Sequence, residues 1–297
     1  MKIGIICSKK SETVTMLYKE GIKQGYTVKI LYINKFSILL NNNKENLIYY
    51  NHKLLSDYDA FITRIPSEKS DIGLSIIRQI ELKGIVCFNS WISISRANNK
   101  FRTQQILSSK NFNMPKTFIT NNSDFSKKML EQLGMPVIIK FFNGLQGVGV
   151  MKVDTIESAL SVLESIKILD SNVLVQECIN ESRGRDIRVL VIGGKVVASM
   201  ERFSNGDDFR ANLSQGGQAR KIDLTKEEKE MAIKATKALS LDICGVDIIR
   251  TNRGSMILEL NASPGLVGIE SSTGISVKTK IFQEIVKAVN KKRNVLY

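Results

Sequence analysis

Apolar residues recur along the chain with two spacings, and the switch between them sets out the elements. Lys2 to Cys7, Thr27 to Tyr32, Asp59 to Ile65 and Ile85 to Phe88 are short apolar runs of strand length. Between them, Ser11 through Gln24 and Ser70 to Lys83 place apolar residues at helical spacing. Ser11 suits an N-cap, and Gly25 and Gly84 stand where the helices would stop. This alternation predicts a small parallel α/β layer over residues 1–90. Asn89-Ser90 opens a helical link, Lys100 to Ser109 continues it as a basic amphipathic segment, and Pro115 breaks it. Strands are then expected at Lys116 to Thr120, Val137 to Lys140, Val148 to Val153 and Val173 to Glu177, with helices over Asp124 to Leu133 and Ile156 to Leu169. After Glu177 come a hairpin about Gly193-Gly194, a polar loop from Ser204 to Gln218 and a helix from Lys226 to Leu239. A second hairpin follows between Asp242 and Gly265, and a terminal helix runs from about Ser276 to Lys291. The expected class is α/β followed by α+β, in three pieces: 1–90, 91–177 and 178–297. No internal repeat or low-complexity tract interrupts them.

The two hairpins bring charge onto sheet faces. In DICGVDIIRTNRGSMILELNASPG, a three-residue loop ending in Gly254 pairs Thr251 with Ser255, and counting outward sets Asp247 opposite Glu259. Asn261 shares the face of Glu259, because side chains alternate along a strand. Opposed carboxylates repel, so one is protonated or a cation lies between them. A site of few, all-oxygen donors suits Mg²⁺, with phosphate and water completing its shell. The other reading is an edge hairpin with two solvated acids; Val246, Ile248, Leu258 and Leu260 argue against it by marking both strands as buried. In the first hairpin a Gly193-Gly194 turn pairs Ile192 with Lys195, which sets Ser199 opposite Arg188. Asp186 and Arg188 then share a face, either in an internal salt bridge or toward a ligand.

Further polar positions converge on phosphate chemistry. Lys140 ends an apolar strand and leads into Asn143-Gly-Leu-Gln-Gly-Val-Gly149. Its three glycines, Gly144, Gly147 and Gly149, would let backbone N–H groups approach phosphate oxygens, unless the loop is merely a flexible hairpin. It is not a Walker loop, since no Gly-Lys-Ser/Thr follows. Val173 to Ile179 reads as a strand entering a hinge, where backbone groups could meet an adenine edge. Arg202, Arg210 and Asn212 supply donors suited to phosphoryl oxygens. Ser263-Pro264-Gly265 is a rigid turn directly after the candidate metal residues. Arg64, at a strand end before Pro66, either faces a ligand or is a solvated loop arginine.

Composition narrows the classes. Lys and Arg number 43 against 29 Asp and Glu, a net charge of +14. No aromatic-interleaved basic motif accompanies it, so direct nucleic-acid binding is not expected, whereas an acidic substrate fits. Part of the charge belongs to a general abundance of Lys, Asn and Ile. Cys7, Cys87, Cys178 and Cys244 are scattered through apolar runs, as buried reduced thiols would be. With His52 the single histidine, a catalytic triad or histidine-rich zinc site lacks material. Met1 to Cys7 is too short for a signal peptide and no run has membrane-spanning length, so the expected compartment is the cytoplasm. No Gly-rich fingerprint follows the first strand, where Cys7-Ser8-Lys9-Lys10 stands instead.

The ordered set DIR (Asp186 to Arg188), GDDFRANLSQGG (Gly206 to Gly217), CGVDIIR (Cys244 to Arg250) and ELNASPGLVGIE (Glu259 to Glu270) resembles the ATP-grasp ligases, and among them the RimK group. The resemblance covers nearly the whole chain. It implies a pre-ATP-grasp domain over 1–90, a linker and first ATP-grasp subdomain over 91–177, and a second subdomain with metal and catalytic residues over 178–297. It also implies ATP-dependent carboxylate–amine ligation through an acyl phosphate. In that scheme Lys100 and Lys140 hold phosphates, with Gly144, Gly147 and Gly149 closing over them. Glu177 and Cys178 meet adenine through their backbone, and Asp186 meets the ribose. Asp247, Glu259 and Asn261 carry Mg²⁺, with Mn²⁺ a possible substitute, while Arg188, Arg202, Arg210 and Asn212 steady the transferred phosphoryl group. The RimK group adds L-glutamate to the C-terminus of a small-subunit ribosomal protein, an acidic-tailed acceptor that suits a basic enzyme. Relatives extend a coenzyme or load a carrier protein. The match is looser at Thr63-Arg64-Ile65-Pro66 and at Asn143, which leaves the acceptor open. No membrane contact is expected, and a homo-oligomer is possible. Two readings from other classes remain: a phosphotransferase with the same ATP clamp, and a module that senses nucleotide without turning it over.

Overall fold

A computed structural model describes residues 1–41, 47–66, 70–119, 123–141, 149–168, 173–182, 184–204 and 216–295. It opens with β1 (Lys2–Cys7), α1 (Glu12–Lys23), β2 (Thr27–Tyr32), β3 (Phe36–Leu39), β4 (Leu47–Tyr50), β5 (Lys53–Leu54), β6 (Ala60–Arg64), α2 (Ser70–Leu82) and β7 (Val86–Phe88). The order β2-β1-β6-β7, parallel throughout, is the expected α/β layer. Five of the six β1 residues are buried, as a central parallel strand requires. Ser11 caps α1 by accepting from the Val14 N–H at 3.3 Å. Residues 33–58 carried no sequence expectation; β3, β4 and β5 there form a small antiparallel sheet. Phe36 packs edge-on against Tyr50 at its base, and the turn between β4 and β5 places Asn51 and His52 in left-handed backbone.

The connecting helices α3 (Trp91–Asn98) and α4 (Lys100–Ser108) are capped by the side chains of Ser90 and Asn99. A small lobe follows: β8 (Thr117–Phe118), α5 (Ser123–Leu133), β9 (Val137–Phe141), β10 (Val150–Val153), α6 (Ile156–Ile168) and β11 (Val173–Glu177). Its sheet, ordered β10-β9-β11-β8, is antiparallel and packs on Leu130, Ala159 and Ile166 from its two helices. The last part comprises β12 (Arg185–Ile192), β13 (Lys195–Phe203), β14 (Gln218–Lys221), α7 (Lys226–Ala238), β15 (Ile243–Thr251), β16 (Gly254–Asn261), α8 (Val267–Thr273) and α9 (Val277–Val295). Its sheet runs β14-β13-β12-β15-β16.

The lobe has its own core, whereas the first and last sheets share two. On one side Phe61, Ile76 and Ile77 cluster with Val189, Val246 and Ile248; on the other Ile3 and Ile5 cluster with Leu190, Ile192 and Phe282. Asn89 joins them through polar bonds. Its side-chain oxygen accepts from the backbone N–H groups of Asp242 (2.6 Å) and Ile243 (2.8 Å), and its amide donates to the carbonyls of Ile243 (2.7 Å) and Ala262 (2.8 Å). A buried amide with two acceptor and two donor sites filled has no polar capacity left to satisfy.

Both hairpin registers differ from simple counting. Thr251 pairs with Gly254 rather than Ser255, one step deeper into the turn, and Leu258 then stands unopposed. That bulge restores Asp247 to its place opposite Glu259. In the other hairpin Ile192 pairs with Lys195 as expected, but an irregularity at Val197 sets Met200, not Ser199, opposite Arg188. Ser199 lies opposite Val189, and its hydroxyl donates to the Ile222 carbonyl at 2.7 Å.

Candidate active site

Four adjacent strands bring charge to one face of the large sheet. Arg202 on β13 opposes Asp186 on β12; Arg188 on β12 opposes Asp247 on β15; Asp247 opposes Glu259 on β16, and Asn261 lies two residues further on. Arg202 grips Asp186 with two bonds of 2.6 Å and reaches Asp247 Oδ2 at 3.0 Å. Arg188 donates to both oxygens of Asp247, through Nη2 at 2.8 Å and through Nε. Such bidentate pairs are the strong geometry for buried guanidinium and carboxylate. Asp247 and Arg202 are each only 6% exposed. Burial works to raise the Asp247 carboxyl, but the guanidiniums of Arg188 and Arg202 outweigh it and hold the group below its ordinary value. Burial prevails at Asp186, which is raised although Arg202 opposes the shift. At Arg202 burial is overcome by Asp247 and Asp186, which hold its proton more firmly. The like-charge conflict between Asp247 and Glu259 is therefore eased from within the sheet. Neither reading made from sequence, a proton or a bound cation, foresaw that.

The donor chemistry also fits a hard cation. Asp247 Oδ2 already accepts two guanidinium bonds, while Oδ1 accepts one and keeps a lone pair. The Glu259 carboxylate has no hydrogen bond or ion pair among the described residues. With the Asn261 amide oxygen these donors are all oxygen, the set that Mg²⁺ prefers. Among the described residues no three His, Cys, Asp or Glu side chains group as a metal site, so Asp247 and Glu259 depend on the Asn261 amide and on outside oxygens to complete a shell.

Lys140 leaves β9 beside this row. Its ammonium donates to Gln176 Oε1 at 2.7 Å, and the Gln176 amide donates to Thr117 Oγ1 at 3.0 Å. Burial lowers the lysine to about 8, with Glu259 pulling upward and Lys100 pushing further down. A lysine kept this close to neutrality gains more than a solvated one from an arriving phosphate. Gln176 had no place in the sequence reading. Its signal was present, a polar residue inside Val173-Leu-Val-Gln-Glu177, where it is 2% exposed.

At the end of β11, Glu177 accepts the Lys116 N–H at 2.8 Å and pairs with Arg253 at 3.0 Å; Cys178 donates its backbone N–H to Pro136. Gly149 takes φ +75 and accepts from the Phe141 N–H at 3.0 Å, closing the base of the glycine loop. Gly144, Gly147, Arg210 and Asn212 lie outside the described residues. Arg64, half-buried at the end of β6, turns part of its guanidinium to backbone. Its Nη2 donates to the carbonyls of Ser263 (3.1 Å) and Pro264 (2.8 Å), tying the first domain to the turn after Asn261, and burial lowers it to about 10. Gly245 lets this turn lie close, since a Cβ there would stand 2.9 Å from Pro264 Cβ.

Comparison with known proteins agrees with this architecture. Residues 97–285 match a family model described as a RimK-like ATP-grasp domain, and residues 1–94 one described as a RimK PreATP-grasp domain. The chain is 40% identical over 289 residues to a probable alpha-L-glutamate ligase of Coxiella burnetii, covering 97% of this chain and 96% of that protein. It is 38% identical over 290 residues to a protein of the same description from Maridesulfovibrio salexigens, with 97% and 96% covered. Among solved structures, the ATP-grasp ligase PsnB complexed with minimal precursor aligns with a TM-score of 0.76 at 18% identity over 96% of this chain and 97% of that one. The D-alanine–D-alanine ligase of Bacillus anthracis aligns at 0.69 with 19% identity and full coverage of both chains. Fold, order of domains and sequence agree: this chain belongs to the RimK-like ATP-grasp family of ligases.

Proposed function

We propose that this chain joins L-glutamate to the C-terminal carboxylate of an acidic-tailed protein, with a small-subunit ribosomal protein as the favoured acceptor. The observation that carries the reading is the charged row from Arg202 to Glu259 facing Lys140, within a chain 40% identical to a probable alpha-L-glutamate ligase. An acceptor carboxylate oxygen attacks the γ-phosphorus of ATP, releasing ADP and forming an acyl phosphate. The amine of glutamate then attacks the acyl carbon, loses a proton and expels inorganic phosphate, leaving an amide.

The chain's residues divide this work. Lys140, Lys100 and the loop of Gly144, Gly147 and Gly149 hold the phosphates. The backbone of Glu177 and Cys178 reads adenine, and Asp186 orients the ribose side. Asp247, Glu259 and Asn261 hold Mg²⁺, or Mn²⁺ in its place, which when bound neutralises phosphate charge. Arg188 and Arg202, with Arg210 and Asn212, stabilise the charge spread over the transferred group. No step needs a histidine or thiol nucleophile; burial pushes Cys244 up to about 12, which leaves it protonated.

The test is ADP release with Mg²⁺, ATP and glutamate, with and without an acidic-tailed protein, read beside product mass. A ladder of single-glutamate additions supports the reading. ADP release without that mass shift transfers the chemistry to another amine or acceptor, and ATP binding without turnover under any condition overturns it.

A further inference from the structure

A second charged feature lies away from the ATP clamp. An open groove of about 830 Å³ runs along the outer face of α1, with Lys10, Lys19, Lys23 and Lys278 in its wall against Glu12 and Glu20. The two carboxylates offset part of the lysine charge: Glu12 is exposed in the wall, and Glu20 lies close enough to Lys278 and Lys23 to interact with both. Glu20 is turned inward, accepting from the Gln24 amide at 2.6 Å and the Thr279 hydroxyl at 2.8 Å. Lys278 is held by Glu270. Lys10, Lys19 and Lys23 have no hydrogen bond or ion pair among the described residues. Lys19 and Lys23 lie one helical turn apart, a spacing at which like charges repel. Both are exposed, since the buried face of α1 is Thr13, Val14, Leu17, Glu20 and Gly21.

The groove adjoins the reaction end of the sheet. Thr13 of α1 accepts the Leu266 N–H at 3.3 Å. Leu266 is five residues past Asn261, so at most about 18 Å of chain separates the two. Lys10 stands at the near end of this path and Lys23 about 15 Å further along α1, so an extended peptide whose last carboxylate lies at the Asp247–Glu259 row would need about ten preceding residues to reach all three lysines. The geometry points to this groove as the docking site for the acidic tail of the acceptor, whose side-chain carboxylates pair with Lys10, Lys19 and Lys23. The inference rests on the acceptor reading above and adds to it a place for the tail. It also gives a length dependence, because each glutamate added becomes a further group for the groove to hold.

The test titrates a fluorescent peptide ending in decaglutamate against the full-length protein and the triple variant Lys10→Glu/Lys19→Glu/Lys23→Glu, with a Lys→Gln triple as the milder second variant. A decaglutamine peptide and a single-stranded oligonucleotide serve as controls. The expected result is decaglutamate binding that weakens with salt, falls at least about tenfold in both variants and is absent for decaglutamine, with ATP affinity unchanged. Equal affinity in wild type and variants, no binding to wild type, or tighter lysine-dependent binding of the oligonucleotide would each overturn it. Glutamate-dependent ADP release by the wild type is read separately. Its absence refutes the ligase reading, whereas lysine-independent peptide binding beside intact ligation refutes the groove alone.

Discussion

The small lobe and the large sheet hold their charge in opposite ways. In the lobe one ammonium, Lys140, is buried against a neutral amide and sits well below its ordinary value. In the sheet Arg188, Arg202, Asp186 and Asp247 satisfy one another within a few ångströms. The lobe thus waits for its counter-charge to arrive, while the sheet carries its own. Their cores repeat the contrast: the lobe packs on itself, and the large sheet is welded to the first domain. A clamp built this way places the responsive charge on the separable part and the fixed charge on the anchored part.

The largest effect should come from the sheet. Glu259→Gln is expected to cut ADP release roughly 10²–10³-fold or more while urea unfolding stays unchanged, because its carboxylate bonds to no described residue. Asp247→Asn should lose turnover similarly and also about 3–5 kcal/mol of stability, since two buried guanidiniums lose their partner. Equal stability losses in the two variants would erase the distinction between ligand and internal counter-ion.

The lobe comes next. Lys140→Gln should weaken ATP binding about tenfold or more at neutral pH. In the wild type, affinity should fall as pH rises through about 8, where the ligand-free enzyme loses that proton. Calorimetric titration across this range should show the slope in wild type and none in the variant.

A carboxylate–arginine cluster at the far end of the same sheet is the control. Glu228 accepts two bonds from Arg250, one from Ser255 and one from the Thr225 N–H in a capping box; Arg250 first, against burial, holds it down to about 2. A depressed carboxyl stabilises the fold above its ordinary 4.5, and that contribution is lost as pH falls toward about 2. Glu228→Gln should therefore cost about 1–3 kcal/mol at pH 7, flatten the acid limb of the stability curve, and leave turnover unchanged. The smallest effect belongs to the joint between lobe and sheet: Arg253→Ala, which removes the exposed partner of Glu177 while the Lys116 N–H still bonds that carboxylate, should change stability by less than about 1 kcal/mol.

The elements that sequence made legible were those with a strong period and a strong stop. β1, β2 and β11 fall where expected, α1 begins at its Ser11 cap, and α7 begins at Lys226 as its pattern predicts. The β3 to β5 sheet escaped because the polar tract from Asn41 to Asn46 breaks its pattern. α8 escaped because it is one short stretch whose N-cap, Leu266, makes no side-chain bond. Asp247 was placed opposite Glu259 through two errors that cancelled, a turn counted one residue long and an unforeseen bulge at Leu258; in the other hairpin the bulge at Val197 went uncancelled. Bulges leave no compositional trace when the extra residue is apolar like its neighbours. Nor could sequence say that Arg188 and Arg202 converge on one carboxylate, since that depends on the register of three strands.

Asn89 sets a rule for anyone who recombines these domains. It stands in the chain at the end of the first unit, yet every bond of its side chain goes to backbone of β15, β16 and their flanks. A chimera cut just ahead of it keeps Asn89 with the strand ends it bonds, whereas one cut behind it would need a donor domain that already ends in asparagine. The practical crossover is therefore a matched pair, residue 89 inherited together with the strand ends it completes, and acceptor-domain swaps that ignore that pairing should yield insoluble protein before they yield a new specificity.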